Sequence, residues 1–212
     1  PGLRDVLLTG KAIEVVRRKE KKANDAYDAV VLDAPPTGRI TKFLNVNSEM
    51  SGLAKAGPIH KHADLVMSVI ASPQTAVHLV TLLEEMPVQE TIDGIADLRA
   101  NSLPVGGVFV NMTRPPLLTD DELLAAEAGR LPVDAIRASL ERCGLTAHET
   151  AIVPALVREA GDHARRVALE RREMTRVVEA DLPTLVLPLL ASGIDLGGLY
   201  ELADILTAGG VR

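Results

Sequence analysis

The run Ala29-Val30-Val31-Leu32 stops at a carboxylate, Asp33, then passes through Ala34-Pro35-Pro36-Thr37-Gly38 into residues with helical spacing. A continuous, β-branched-rich run suits a strand covered by helices on both faces, as in a parallel sheet, and the strand is expected over residues 27–33. Three further strands are expected at Thr75–Leu83, Pro104–Asn111 and Thr184–Pro188. Helical patterns separate them, at about 2–22, 37–46, 60–71, 88–101, 120–130, 133–144, 149–181 and 196–208. Pro87 sits where the first turn of the 88–101 helix accepts a proline. Residues 47–62 are mixed and contain Gly52, Gly57 and Pro58. Strands alternating with helices predict an α/β fold with a mostly parallel sheet flanked by helices.

The 212 residues suffice for one large domain with its own core. Hydrophobic content of 47% and charged content of 25% fit a soluble globular protein. A net charge of −6 disfavours a nucleic-acid role, and 2% aromatic content without Trp disfavours a base-stacking surface. The run Arg17-Arg18-Lys19-Glu20-Lys21-Lys22 reads as a solvated helix end. The single cysteine, Cys143, excludes an internal disulfide and a cysteine-pair zinc site within one chain, and it suits a reducing cytoplasm. No apolar run reaches the ~18–20 residues of a membrane helix. Pro1 leads directly into a helical pattern without an initiator Met, so the sequence reads as a piece starting inside a longer protein.

Asp33 stands where a parallel strand opens to solvent, the usual place for a ligand in an α/β sheet. A carboxylate there can hold magnesium directly or through water. Pro35 and Pro36 stiffen the following loop, Thr37 offers a hydroxyl, and Gly38 lets backbone N–H groups approach a ligand. Residue types alone leave two readings open, a magnesium–nucleotide site or an ordinary strand–turn–helix. Asn111 also ends a strand, and its amide can donate and accept as an adenine edge requires; Asn is equally common turn chemistry. Pro188 ends the last strand, followed by Leu189-Leu190-Ala191-Ser192-Gly193, either a loop beside a base or a simple strand stop.

Other candidates are weaker. His60 and His62 are two apart and diverge on a helix. His78, in an apolar run, is expected to be a core histidine, and His148, His163 and Cys143 have no evident partners. Thr9-Gly10-Lys11 lacks the Gly-x-x-x-x-Gly-Lys-Ser/Thr frame of a phosphate-binding loop, because Asp5 holds the first glycine position and Ala12 follows the lysine.

In fixed order, Asp33-Ala34-Pro35-Pro36-Thr37-Gly38-Arg39, the Asn111 strand end and the Pro188 strand end resemble the arsenical pump-driving ATPase family, which includes the tail-anchored protein targeting factors. The likeness is nearest to its paired actinobacterial, mycobacterial-type anion-transporting members. Pro1–Leu7, Leu82–Glu90 and Gly197–Leu202 also have counterparts there.

The resemblance implies a P-loop NTPase whose phosphate-binding loop precedes Pro1, with residues 1–212 as the C-terminal portion of that domain. It implies ATP and Mg2+ as ligands. Asp33 would hold hydrated magnesium, and residues 34–41, including Thr37, Gly38 and Arg39, would sense the γ-phosphate. Asn111 would read adenine, and Pro188, Leu189 and Leu190 would line the base pocket. A variable helical region at about 47–72 would contact partners or clients, and a helical segment would span about 119–181. The expected protein is a cytoplasmic ATPase, a homodimer or a heterodimer with a related subunit, with a possible membrane-protein partner or client. Two departures stand out. Position 39 is Arg where better-known members have His, and the paired-cysteine zinc motif is missing, which removes support for a zinc-clasped dimer and for arsenite binding. The alternatives are a non-catalytic regulatory subunit of a paired complex, a dinucleotide enzyme, whose Gly-x-Gly-x-x-Gly is lacking, and a nucleic-acid-partitioning relative favoured only by the basic stretch at 165–176.

Overall fold

A computed structural model describes residues 2–18, 27–53, 57–145, 152–190 and 193–210. Its elements in chain order are α1 (Gly2–Val16), α2 (Thr37–Leu53), α3 (Pro58–Ile70), β1 (Val77–Thr81), α4 (Glu85–Ala100), β2 (Val105–Thr113), α5 (Asp120–Glu127), α6 (Val133–Arg142), α7 (Val153–Val178), β3 (Thr184–Pro188) and α8 (Leu196–Ala208). The strands form a three-stranded sheet in the order β1-β2-β3. Val108 N–H donates to Pro183 O and Leu189 N–H to Thr113 O, so the partners advance together and the pairing is parallel. The expected α/β class is what forms.

Backbone contacts divide the chain into two compact units. The first comprises Pro1–Thr81, Met86–Phe109 and Ala180–Leu185. In it α1, α2 and α3 pack together around Ile13, Ile40, Phe43, Leu44, Ala63, Val66 and Ile70, all buried. Asn45 Nδ2 of α2 donates to Asn101 Oδ1, one residue past the end of α4, at 2.9 Å. α4 buries Val88, Ile95 and Leu98. The second unit comprises Leu82–Glu85, Val110–Glu179 and Val186–Arg212. There α5 packs on α7 through Leu123, Ala126, Ala164 and Val167. Thr119 caps α5 in a reciprocal box. Its hydroxyl accepts from Glu122 N–H, and the Glu122 carboxylate accepts from Thr119 N–H, satisfying two otherwise orphaned donors.

The expected strand at 27–33 does not form; residues 29–36 have no regular structure. Val31 is 93% exposed, and Tyr27, Val30 and Leu32 are exposed as well. A strand persists only where its N–H and C=O rows find neighbours. Apolar patterning states a demand for burial, and no described residue meets it here. Smaller differences follow the same logic. α2 runs on to Leu53, past the end at about residue 46 that its spacing gives, because Val46 and Asn47 are buried, with Asn47 Nδ2 donating to Thr9 Oγ1 of α1. β1 alternates buried and exposed residues rather than being covered on both faces. His78 therefore lies on the exposed face, its ring 5.2 Å from that of Phe109, and is not a core histidine. Residues 19–22 of the charged run and His148 fall outside the described residues.

Candidate functional site

Asp33 is exposed and lies four residues before α2. Pro35 is half-buried and Pro36 exposed, and the Pro36 carbonyl accepts the Arg39 N–H at 2.9 Å to open the helix. Thr37, half-buried, is the first helical residue. Gly38 and Arg39 face solvent, and a Cβ placed on Gly38 would meet no atom within 4 Å. The segment thus presents an open backbone and one carboxylate. Among the described residues no group of three or more His, Cys, Asp or Glu could hold a metal. A lone exposed carboxylate does fit a cation that keeps most of its waters, which is magnesium's habit.

β2 does not stop at Asn111 as expected but continues to Thr113, and within it the half-buried Asn111 turns its Oδ1 to the N–H of Met112, 3.0 Å away. Met112 has φ 57°, a left-handed conformation that is costly for a side chain of its size. The Asn111 carbonyl helps hold it, yet retains a second lone pair, and its amide nitrogen has no partner among the described residues. The edge can therefore donate and accept together, as adenine needs. Thr113 O accepts from Leu189 N–H at 2.9 Å, and Thr113 Oγ1 donates to Leu187 O at 3.2 Å. These bonds bring the last residues of β2 beside Pro188-Leu189-Leu190. Leu190 in turn rests on α8, where a Cβ on Gly198 would come within 2.8 Å of its Cδ1. The Asp195 carboxylate caps that helix by accepting Gly198 N–H at 2.8 Å.

Asn111 and Met112 line a cleft of about 50 Å³ with Leu82, Glu84, Arg114 and Arg166. An ion-pair chain closes one wall. Arg166 meets Glu84 at 3.1 Å and Glu170 at 3.9 Å, and Arg114 meets Glu170 at 3.6 Å. The larger groove of about 350 Å³ between α5 and α7 contains none of the residues singled out from the sequence.

Asp33, Pro35, Pro36, Thr37, Gly38 and Arg39 belong to the first unit, and Asn111, Pro188, Leu189 and Leu190 to the second. Within the second, the sheet brings together Asn111, two residues before the end of β2, and Pro188, the end of β3, which are 77 residues apart in the sequence. Sequence patterning missed the Arg114–Glu170–Arg166–Glu84 chain, because a charged helix face reads as solvated whether or not it has partners. It also missed Glu173, a carboxylate 1% exposed within α7. Burial pushes the Glu173 carboxyl up, but hydrogen bonds and charge from Arg176 at 2.6 Å and Arg172 at 3.1 Å outweigh this and hold it below its usual value. His163 does have a partner, accepting Leu117 N–H at 3.2 Å, and Cys143 is exposed.

No family model matches the chain. It is 46% identical over 213 aligned residues to ATPase BagA of Mycobacterium tuberculosis strain H37Rv, and equally to a Mycobacterium bovis protein named as a candidate ATPase. The alignment covers 100% of this chain but 62% of each relative, so the chain spans under two thirds of their length. Among the described residues no helix is long and apolar enough to cross a membrane.

Proposed function

We propose that this chain is the switch- and base-binding part of an ATPase related to the mycobacterial proteins. The observation that carries this is the 46% identity along the entire chain to proteins named as ATPases. The strand-end geometry supports it: Asn111 offers a two-way amide edge next to Pro188, Leu189 and Leu190, as an adenine site requires. The 50 Å³ cleft is smaller than a base, so the ring would lie over its mouth rather than inside.

In this proposal the substrate is ATP and the bond broken joins its β and γ phosphates. Catalysis of that kind is mostly positioning and charge stabilisation. Asp33 would accept hydrogen bonds from the water shell of a magnesium ion, which when bound supplies charge neutralisation at the phosphates. Residues 34–41 would respond to the γ-phosphate, with the Thr37 hydroxyl and the N–H groups of Gly38 and Arg39 as donors. The residues contain no Gly-x-x-x-x-Gly-Lys-Ser/Thr, so the phosphate cradle would come from other parts of the longer protein. The anion-transporting family, a paired or self-paired assembly, a membrane-protein client and a cytoplasmic setting complete the proposal.

The test uses a protein of the relatives' full length. Asp33→Asn should cut phosphate release severely while adenine-nucleotide binding persists. Unchanged turnover removes Asp33 from the metal site. A parent protein that binds ATP without any turnover favours the non-catalytic regulatory subunit instead.

A further inference from the structure

The methyl of Thr37 lies against the glycine of α4. A Cβ built on Gly94, in the middle of α4, would lie 2.7 Å from Thr37 Cγ2 and 3.8 Å from Leu79 Cδ2. Real Cβ atoms do not approach carbon so closely, so the Thr37 methyl occupies space that only glycine leaves open. Gly94 is also in a costly place, since glycine in a helix interior forfeits helix propensity relative to alanine. α4 is otherwise anchored by its buried Val88, Ile95 and Leu98, and Asn101, just past its end, accepts a hydrogen bond from Asn45 of α2.

A threonine Cβ carries three substituents, so seating the methyl fixes the direction of the hydroxyl. We propose that Gly94 is a positioning residue: its missing side chain seats the Thr37 methyl and thereby aims the Thr37 hydroxyl out of the helix–helix contact. The inference rests on the proposed role of the 34–41 segment for its functional consequence, but the orientation itself does not. Alanine at 94 would force Thr37 to another rotamer or lift the first turn of α2 off α4. Either change redirects the hydroxyl and the neighbouring N–H groups of Gly38 and Arg39.

The experiment is a double-mutant cycle in the relatives-length protein. G94A should lower kcat by about ten- to a hundred-fold with little change in KM, the cost of misplacing a reacting-site donor. T37S removes the methyl but keeps the hydroxyl, so in the T37S background G94A should change kcat by no more than about twofold. In parallel, three-bond couplings to the labelled Thr37 methyl report its χ1 angle: one rotamer in the parent, a different or averaged one in G94A. Equal costs of G94A in both backgrounds, or an unchanged χ1, overturn the inference. If the parent has no ATPase activity, the proposed function fails while χ1 still decides the role of Gly94. If G94A does not fold, folding of G94A/T37S identifies the methyl as the clash, and failure of both overturns it.

Discussion

Asn111 does two jobs that can be separated by substitution. Its Oδ1 holds Met112 in a left-handed conformation, and its amide nitrogen, without a partner among the described residues, is the donor proposed for the base. Asn111→Ala should weaken adenine-nucleotide affinity by roughly 1–2 kcal/mol, about tenfold, as measured by calorimetry. It should also lower the melting temperature, because the Met112 N–H loses its acceptor. Adding Met112→Gly relieves the left-handed strain of roughly 1 kcal/mol. The double variant should therefore regain stability without regaining affinity; recovery of both would mean that Asn111 serves only the turn. At this scale the sequence was legible where chemistry is local. A polar amide closing an apolar run marks Asn111, and stiff prolines mark 35 and 36. Gly94 carried no such mark, because its partner lies 57 positions away, at Thr37, and nothing in a helical pattern announces a close approach.

Among the elements, α7 shows how much a polar helix face can conceal. Its apolar spacing predicts one buried side, and Ala164, Val167 and Val177 provide it. Its arginines reach carboxylates on other segments: Arg166 to Glu84, Arg171 to Asp120 at 2.6 Å and Arg172 to Glu85 at 2.6 Å. Periodicity could not assign these pairs, since it records which side is polar and not what faces it. Glu173 makes the helix pH-dependent. Its carboxyl lies below the reference value of 4.5, so the folded state prefers the ionised form more than the unfolded chain does. The resulting stability is present above that reference value and is lost as pH falls through the lower, folded-state value. Glu122, lowered by its backbone and side-chain hydrogen bonds with Thr119, acts in the same direction. Thermal melts taken from pH 7 downward should fall through the acid range, and Glu173→Gln should melt lower at neutral pH with a shallower acid slope. An identical slope would assign the acid sensitivity to other carboxylates.

At the level of the whole molecule, the alternation of strands and helices was legible, and with it the α/β class. The segment before Asp33 was not, because a strand is a property of two chains and the sequence displays one. In the proposed ATPase, residues 29–33 would pair with a strand from elsewhere in a protein of the relatives' length. Hydrogen exchange should then find their amides fast in this 212-residue chain and protected in a protein of the relatives' length. The same division of labour predicts that the 212 residues alone bind ATP weakly and release no phosphate, which calorimetry and a phosphate assay would check; clear turnover by them would put the phosphate cradle inside this chain. Meanwhile Val30, Val31 and Leu32 form an uncharged, exposed apolar stretch, with its two valines β-branched. Left uncovered, such a stretch is a seed for cross-β stacking between molecules, so concentrated samples should form larger particles over time. A lysine at position 31 should keep them dispersed.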